Sequence, residues 1–389
     1  MPSRYYNSIA VYSTETKKIF HDSWLFCCLL DELKTSTSYI RKKIYGIDLV
    51  IQRSDKKIYA HLNNCPHKMH PVRIDHTGNG PIVCPYHNWS FLPSGQIKKI
   101  PFNDECYLFN HTKLSKISLS MFAVEIVGKM VFVNLSKMPT PIEKSFPKNL
   151  LVTLTDISNS FQDFQISHHR RKFNWKLAIE NLRDGLHPLF LHQRTLNTTV
   201  SVGLPGIPKL VPDFLLKECH ASFGGPDVAV SGTYIDRYAE KFKPWPANAR
   251  YHNYHLFPNT HITIPDGGFS AVIENYIPTG PGETECKVYL ALFENELSKE
   301  EKANLFANLM GNAADVYEED FSTLEFIQDS LPKHNTIKPI PGAYERMQHR
   351  FYVIYKRKMN NLFERGLNFL FSLAMLPTFL MVLISSKKR

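Results

Sequence analysis

Two short loops constrain this chain more than anything else in it: Cys65-Pro66-His67 and, sixteen residues on, Cys84-Pro85-Tyr86-His87. Each arm carries one thiolate donor and one imidazole and lies between β-rich runs, so folding the arms together brings two sulfurs and two nitrogens to one point. Such a set holds either one tetrahedral zinc ion or a two-iron cluster with thiolates on one iron and imidazoles on the other. Zinc modules usually pair Cys with Cys and His with His along the chain. The mixed arms favour the cluster, in which neutral imidazoles lower the negative charge and raise the reduction potential.

Around those loops, from residue 39 to 135, short β-rich runs alternate with turn residues, the pattern of an antiparallel all-β domain. The clearest strands are 47–52 and 57–62, with a hairpin of 122–127 and 129–135 about Gly128. A Pro-containing connector follows over 136–148. Beyond it, a helical stretch over about 175–190, strand candidates at 251–256, 269–276 and 286–293, and a long helical pattern over 299–330 predict an α+β domain, its sheet covered by helices on one side. The 389 residues thus divide into an N-terminal segment (1–38), a β domain (39–135), the connector, a second domain (149–362) and an apolar tail (367–386).

With 43% hydrophobic and 21% charged residues, the chain has an ordinary globular balance. Its seven cysteines are too sparse for a secreted disulfide framework and point to a reducing compartment, and the N-terminus carries no secretory pattern. The net charge of +10 is scattered, without a nucleic-acid motif, and reads as a solvated basic surface or as a docking field for an acidic electron carrier. Leu367 to Ile384 is an uncharged stretch of eighteen residues followed by Ser-Ser-Lys-Lys-Arg. It reaches about 27 Å as a helix, enough for marginal spanning of a bilayer, or it packs as a terminal helix. The expected location is the cytoplasmic side, with membrane attachment through this tail.

A second metal-binding pattern begins at Asn174-Trp175-Lys176. Glu180, Asp184 and His187 stand at i, i+4 and i+7, one face of a helix. Pro188 bends or ends that helix and brings His192 round beside His187. Two histidines and one carboxylate on one face of iron leave the other face open for oxygen and substrate. Asp184, one turn before His187, is placed to accept the far imidazole proton and orient the ring.

CPHKMHPV and CPYHNWSFLPSGQIKKIP resemble the two Rieske loops of the ring-hydroxylating oxygenase α subunits, and NWKLAIENLRDGLHPLFLH resembles their mononuclear-iron helix. The resemblance covers about residues 24–360. It implies Cys65, His67, Cys84 and His87 as ligands of a Rieske [2Fe-2S] cluster, with Trp89 and Gly95 packing and turning the second loop. It implies His187 and His192 as ligands of a mononuclear Fe(II). Glu318-Glu319-Asp320, with Glu325 and Gln328, resembles the segment that completes the triad and selects Asp320, Glu319 being the alternative. Asp184 matches the acid that bridges to a Rieske histidine of the neighbouring subunit, and Asn181 a position near the iron.

The chain departs from the family at Lys68-Met69, where Arg-Gly is usual, and at Asn88, where Gly is usual. The implied fold is an all-β Rieske domain plus a helix-grip-like catalytic domain, assembled as a homotrimer or a multiple of three. The implied function is a terminal oxygenase that activates O2 to hydroxylate, demethylate or desaturate an organic substrate. NAD(P)H electrons would come through a separate reductase, with or without a ferredoxin, because no nucleotide-binding G-x-G-x-x-G follows a strand. The rival reading is a Rieske electron carrier, or a zinc-stabilised binding protein, without oxygenase activity.

Overall fold

The structure, a computed structural model, describes residues 1–184, 187–195, 237–245, 252–331, 339–340, 342 and 345–360. Helix α1 (Ile9–Glu15) is capped by Ser8, whose side chain accepts from the Val11 amide, and leads to strand β1 (Trp24–Leu29), buried at every position. An apolar run without alternation fits a strand covered on both faces. It pairs antiparallel with β10 (Met130–Asn134), which pairs with β9 (Met121–Val127) in the expected hairpin about Gly128. Sequence reading starts the β domain at residue 39; in the structure β1 already belongs to that domain's sheet.

The sheet continues through β4 (Lys57–Leu62), β3 (Ile47–Ser54), β2 (Ser38–Ile44) and β5 (Thr77–Asn79), seven strands in all. A smaller sheet of β6 (Ile82–Val83), β7 (Ser90–Phe91) and β8 (Ile97–Lys99) carries the second Cys/His loop. Trp89, Phe91, Ile82 and Val72 form a local core under both loops.

After helix α2 (Lys148–Asn159) comes a five-stranded antiparallel sheet in the order β11 (Phe161–Arg171), β15 (Glu283–Phe293), β14 (Ser270–Gly280), β13 (Thr260–Ile264), β12 (His252–Leu256). Strands β11 and β13 are absent from the sequence reading. β11 mixes exposed and half-buried residues without a strict period of two and carries HHRR at its end, and β13 is only five residues long, too short for a clear period.

Helices α3 (Trp175–Leu182), α4 (Pro188–Leu191), α5 (Lys299–Ser330) and α6 (Arg346–Met359) complete the domain. α5 opens on Ser298 with a reciprocal Ser298/Glu301 capping box, which satisfies two otherwise orphaned amides. One face of the sheet, with Ile262, Ile273 and Ala291, packs on Phe26 and Phe132 and on Leu154 of α2. The other face, with Tyr276, Cys286 and Val288, packs on Trp175 of α3, Phe321 and Leu324 of α5 and Phe351 of α6.

The apolar tail lies outside the described residues. Among the described residues, no helix is long and apolar enough to cross a membrane.

Candidate metal centres

The two Cys/His loops are built alike. The Cys65 amide donates to the His70 carbonyl at 2.9 Å and the Met69 amide back to Cys65 at 2.8 Å; the Cys84 amide donates to Trp89 at 2.8 Å and the Asn88 amide back to Cys84 at 2.9 Å. Each loop is thus a tight turn whose residue four places after the cysteine is left-handed, Met69 at φ 57° and Asn88 at φ 56°. These are the positions where the family usually has glycine, the residue that enters this region without a Cβ penalty. Asn tolerates it; Met does so poorly. Met69→Gly is therefore expected to stabilise the metallated chain by up to about 1 kcal/mol, read by chemical denaturation, and Asn88→Gly by less.

Both thiols are buried, whereas His67 and His87 are half-buried at the rim. Burial and the neighbouring Cys84 push the Cys65 thiol up to about 11. The crowded Cys65 thiol resists ionisation unless a cation sits beside it. The His67 ring stacks on Trp89 at 4.6 Å and stands 4.5 Å from the His87 ring, and its buried Nδ1 has no partner among the described residues. Burial and His87 hold His67 below its usual value, so its ring is neutral, the form that ligates. Two buried thiols, two neighbouring imidazoles and an unpaired ring nitrogen fit a two-iron, two-sulfide cluster.

The second centre forms where α3 ends. Sequence reading puts Glu180, Asp184 and His187 on one face of a continuous helix, but α3 stops at Leu182 and α4 starts at Pro188, with proline in its first turn. Glu180, still inside α3, accepts from the Tyr6 hydroxyl at 2.7 Å and is not brought to the histidines. Pro188 has no amide to give the Asp184 carbonyl four residues back, and that carbonyl accepts from His187 Nδ1 at 2.8 Å instead. It is thus the backbone of Asp184, and not the expected carboxylate, that orients this ring.

His187, His192 and Asp320 come together, their potential ligand atoms all within 4.8 Å of one another. Nε2 of His192 lies 3.2 Å and Nε2 of His187 3.6 Å from Asp320 Oδ1. The outward nitrogen of His192 is held by Glu319 Oε2 at 2.9 Å, and Glu319 also accepts from Thr195 at 2.7 Å. The Asn181 amide donates to Asp320 Oδ1 at 3.0 Å. Burial lowers His187 despite Asp320 and Asp184. At His192 burial is outweighed by Asp320 and Glu319, and the group is raised. Two rings aimed at one carboxylate, each backed at its far nitrogen, make a preorganised site for a divalent cation.

The Rieske [2Fe-2S] domain family model matches residues 23–118, and the ring hydroxylating alpha subunit (catalytic domain) model matches residues 159–361, more than half of the chain. The chain belongs to this family of Rieske oxygenase α subunits. It is accordingly an oxidoreductase of the Rieske oxygenase class, with a Rieske cluster and a mononuclear iron as its cofactors.

Among its relatives, the carnitine monooxygenase oxygenase subunit of Acinetobacter pittii (strain PHEA-2) is 25% identical over 311 residues, 77% of this chain and 78% of the relative. The glycine betaine monooxygenase oxygenase subunit of Chromohalobacter salexigens is 27% identical over 221 residues, 55% and 48% of the two chains. The quaternary ammonium Rieske monooxygenase CntA in complex with L-carnitine superposes with a TM-score of 0.72 at 20% identity, covering 91% and 94% of the chains. Naphthalene 1,2-dioxygenase with bound indole superposes at 0.71 and 18% identity over 92% of each, so the shared fold alone does not separate substrates.

Proposed function

We propose that the chain is the terminal oxygenase of a multicomponent monooxygenase acting on a small quaternary ammonium compound. In this reading Cys65, His67, Cys84 and His87 hold the cluster, and His187, His192 and Asp320 hold the iron. The observation that carries it is the convergence of two imidazole Nε2 atoms on Asp320, each ring backed at Nδ1 by a fixed acceptor. The names of the carnitine, glycine betaine and choline monooxygenase relatives support the substrate class.

When bound, the cluster supplies electrons singly and the iron supplies the site where O2 is reduced beside the substrate. The protein's part is positional. Asp184 and Glu319 hold the rings, Asn181 restrains the carboxylate that both rings face, and three protein donors leave one side open.

Electrons come from NAD(P)H through a separate reductase, with or without a ferredoxin. Met69 and Tyr86 of the cluster loops, and Leu108 beside Tyr107, whose ring meets His67 at 5.4 Å, are each between 59% and 77% exposed. Such an apolar rim is costly in water and supports assembly as a trimer, with one subunit's cluster serving its neighbour's iron through Asp184.

The test is turnover of glycine betaine and L-carnitine by the full metallated chain with NADH and a surrogate reductase. Substrate-dependent O2 uptake with stoichiometric demethylated or hydroxylated product is expected; uptake unaffected by either compound would contradict the substrate class.

A further inference from the structure

One buried pair in the catalytic sheet plays no part in either metal centre. His261 of β13 and Glu274 of β14 are cross-strand partners, 1% and 3% exposed, with His261 Nδ1 2.6 Å from Glu274 Oε2. The other oxygen, Oε1, accepts from the Tyr276 hydroxyl at 2.9 Å. Nδ1 therefore donates to the carboxylate, which fixes the ring. Nε2 is buried and has no partner among the described residues.

Side chains two apart on a strand share a face. Glu274 and its cross-strand partner His261 thus lie on the face of Tyr276, which packs towards α3 and α5, whereas Ile273 points to the opposite core. On α5, Tyr317 stands one turn before Asp320, and burial together with the nearby Glu274 carboxylate pushes its hydroxyl well above the ordinary value. A buried nitrogen left without a partner is destabilising. Glu274 holds this ring through Oε2 and is itself held at Oε1 by Tyr276, which fixes the ring on the face of the sheet covered by α5, the helix that carries Asp320.

We propose that His261, positioned by Glu274, hydrogen-bonds the oxygen-bearing end of the substrate, its hydroxyl or carboxylate, while the quaternary nitrogen end is presented to the iron. This rests on the substrate class proposed above. A neutral ring accepts at Nε2 from a hydroxyl; a charged ring donates at Nε2 to a carboxylate. His261 contacts the substrate, and Glu274 acts through it as a positioning residue.

The experiment measures equilibrium binding of L-carnitine, glycine betaine, choline and tetramethylammonium to the fully metallated chain and to His261→Phe and Glu274→Gln. Unchanged cluster spectrum and iron content establish that each variant is folded. His261→Phe is expected to lose about 10–100-fold in affinity for the oxygen-bearing compounds and less than about threefold for tetramethylammonium, which offers the ring nothing.

Loss confined to choline and carnitine identifies the hydroxyl, and loss confined to glycine betaine and carnitine the carboxylate. Glu274→Gln is expected to show the same selectivity at smaller size, with KM for the affected compound rising more than kcat falls. An equal loss for all four compounds, or no loss, overturns the role of His261 while the proposed function stands. A wild-type chain that binds none of the four overturns the substrate class and this inference together. Should His261→Phe lose its cluster or iron, Glu274→Gln decides by the same criteria.

Discussion

His187→Ala is expected to reduce oxygen-dependent turnover by more than about a hundredfold while leaving the visible and EPR signatures of the cluster intact. Residues that merely orient a metal ligand are worth about ten- to a hundredfold, and removal of the ligand itself exceeds that. Iron should fall from about three to about two per chain, because two irons belong to the cluster. Asp320→Ala should behave in the same way. Glu319→Gln should not, since Glu319 holds the far nitrogen of His192 and Asp320 faces both Nε2 atoms; a tenfold to hundredfold loss with iron retained is expected. Equal iron loss in the Glu319 and Asp320 variants would contradict the assignment. A metal content of two irons in the wild-type chain would favour the electron-carrier reading.

The largest effect on stability is expected from Glu15→Ala. Lys176 is fully buried one residue into α3, and its ammonium lies 2.6 Å from Glu15 Oε1. Glu15 also accepts from the Trp175 indole at 3.2 Å and from the Tyr355 hydroxyl. Three helices meet at this carboxylate: α1 provides it, α3 the lysine and indole, α6 the tyrosine. Breaking such a pair by deleting one partner typically costs about 3–5 kcal/mol, because a charge is left in a dry interior. Denaturant unfolding of Glu15→Ala should show a loss of that size.

The pH dependence follows from the sign of the shift. Burial holds Lys176 below its ordinary value, with Glu15 as the main opposing influence and Glu180 behind it. In Glu15→Ala the folded chain gives up the Lys176 proton while the unfolded chain keeps it. Stability of the variant should therefore rise with pH, by up to about 1.4 kcal/mol per unit, until the unfolded lysine titrates near ~10.4. Adding Lys176→Met should recover most of the loss, because the unpaired charge is then gone. Failure of the double variant to recover would show that the Glu15 bonds to Trp175 and Tyr355, more than the ion pair, hold the three helices.

Much of the candidate site was legible because its spacing is local. The four cluster residues lie in two loops that the chain brackets with β runs, and both loops close on themselves through bonds between residues four and five apart. His187 and His192 were legible for the same reason, and Pro188 announced the break between them. The break itself was misjudged: a helical period continued through Asp184 implies a carboxylate partner for His187, whereas the freed carbonyl of that residue serves. Strand β1 was missed because an all-apolar run of six has no period to distinguish it. His261 and Glu274 were missed because a polar residue in a short strand has no meaning until its neighbour across the ladder is known.

By itself, then, the amino-acid order determined the two donor sets, the helical pair of histidines and the class of chemistry, since each depends on residue types within about twenty positions of one another. Only the tertiary structure decided which carboxylate meets those histidines, with Asp320 inward and Glu319 behind His192, because adjacent residues on a helix point about 100° apart and the docking of α5 selects between them. It alone also left one nitrogen of His261 without a partner among the described residues, since pairing across a sheet joins residues whose separation in the chain carries no signal of contact.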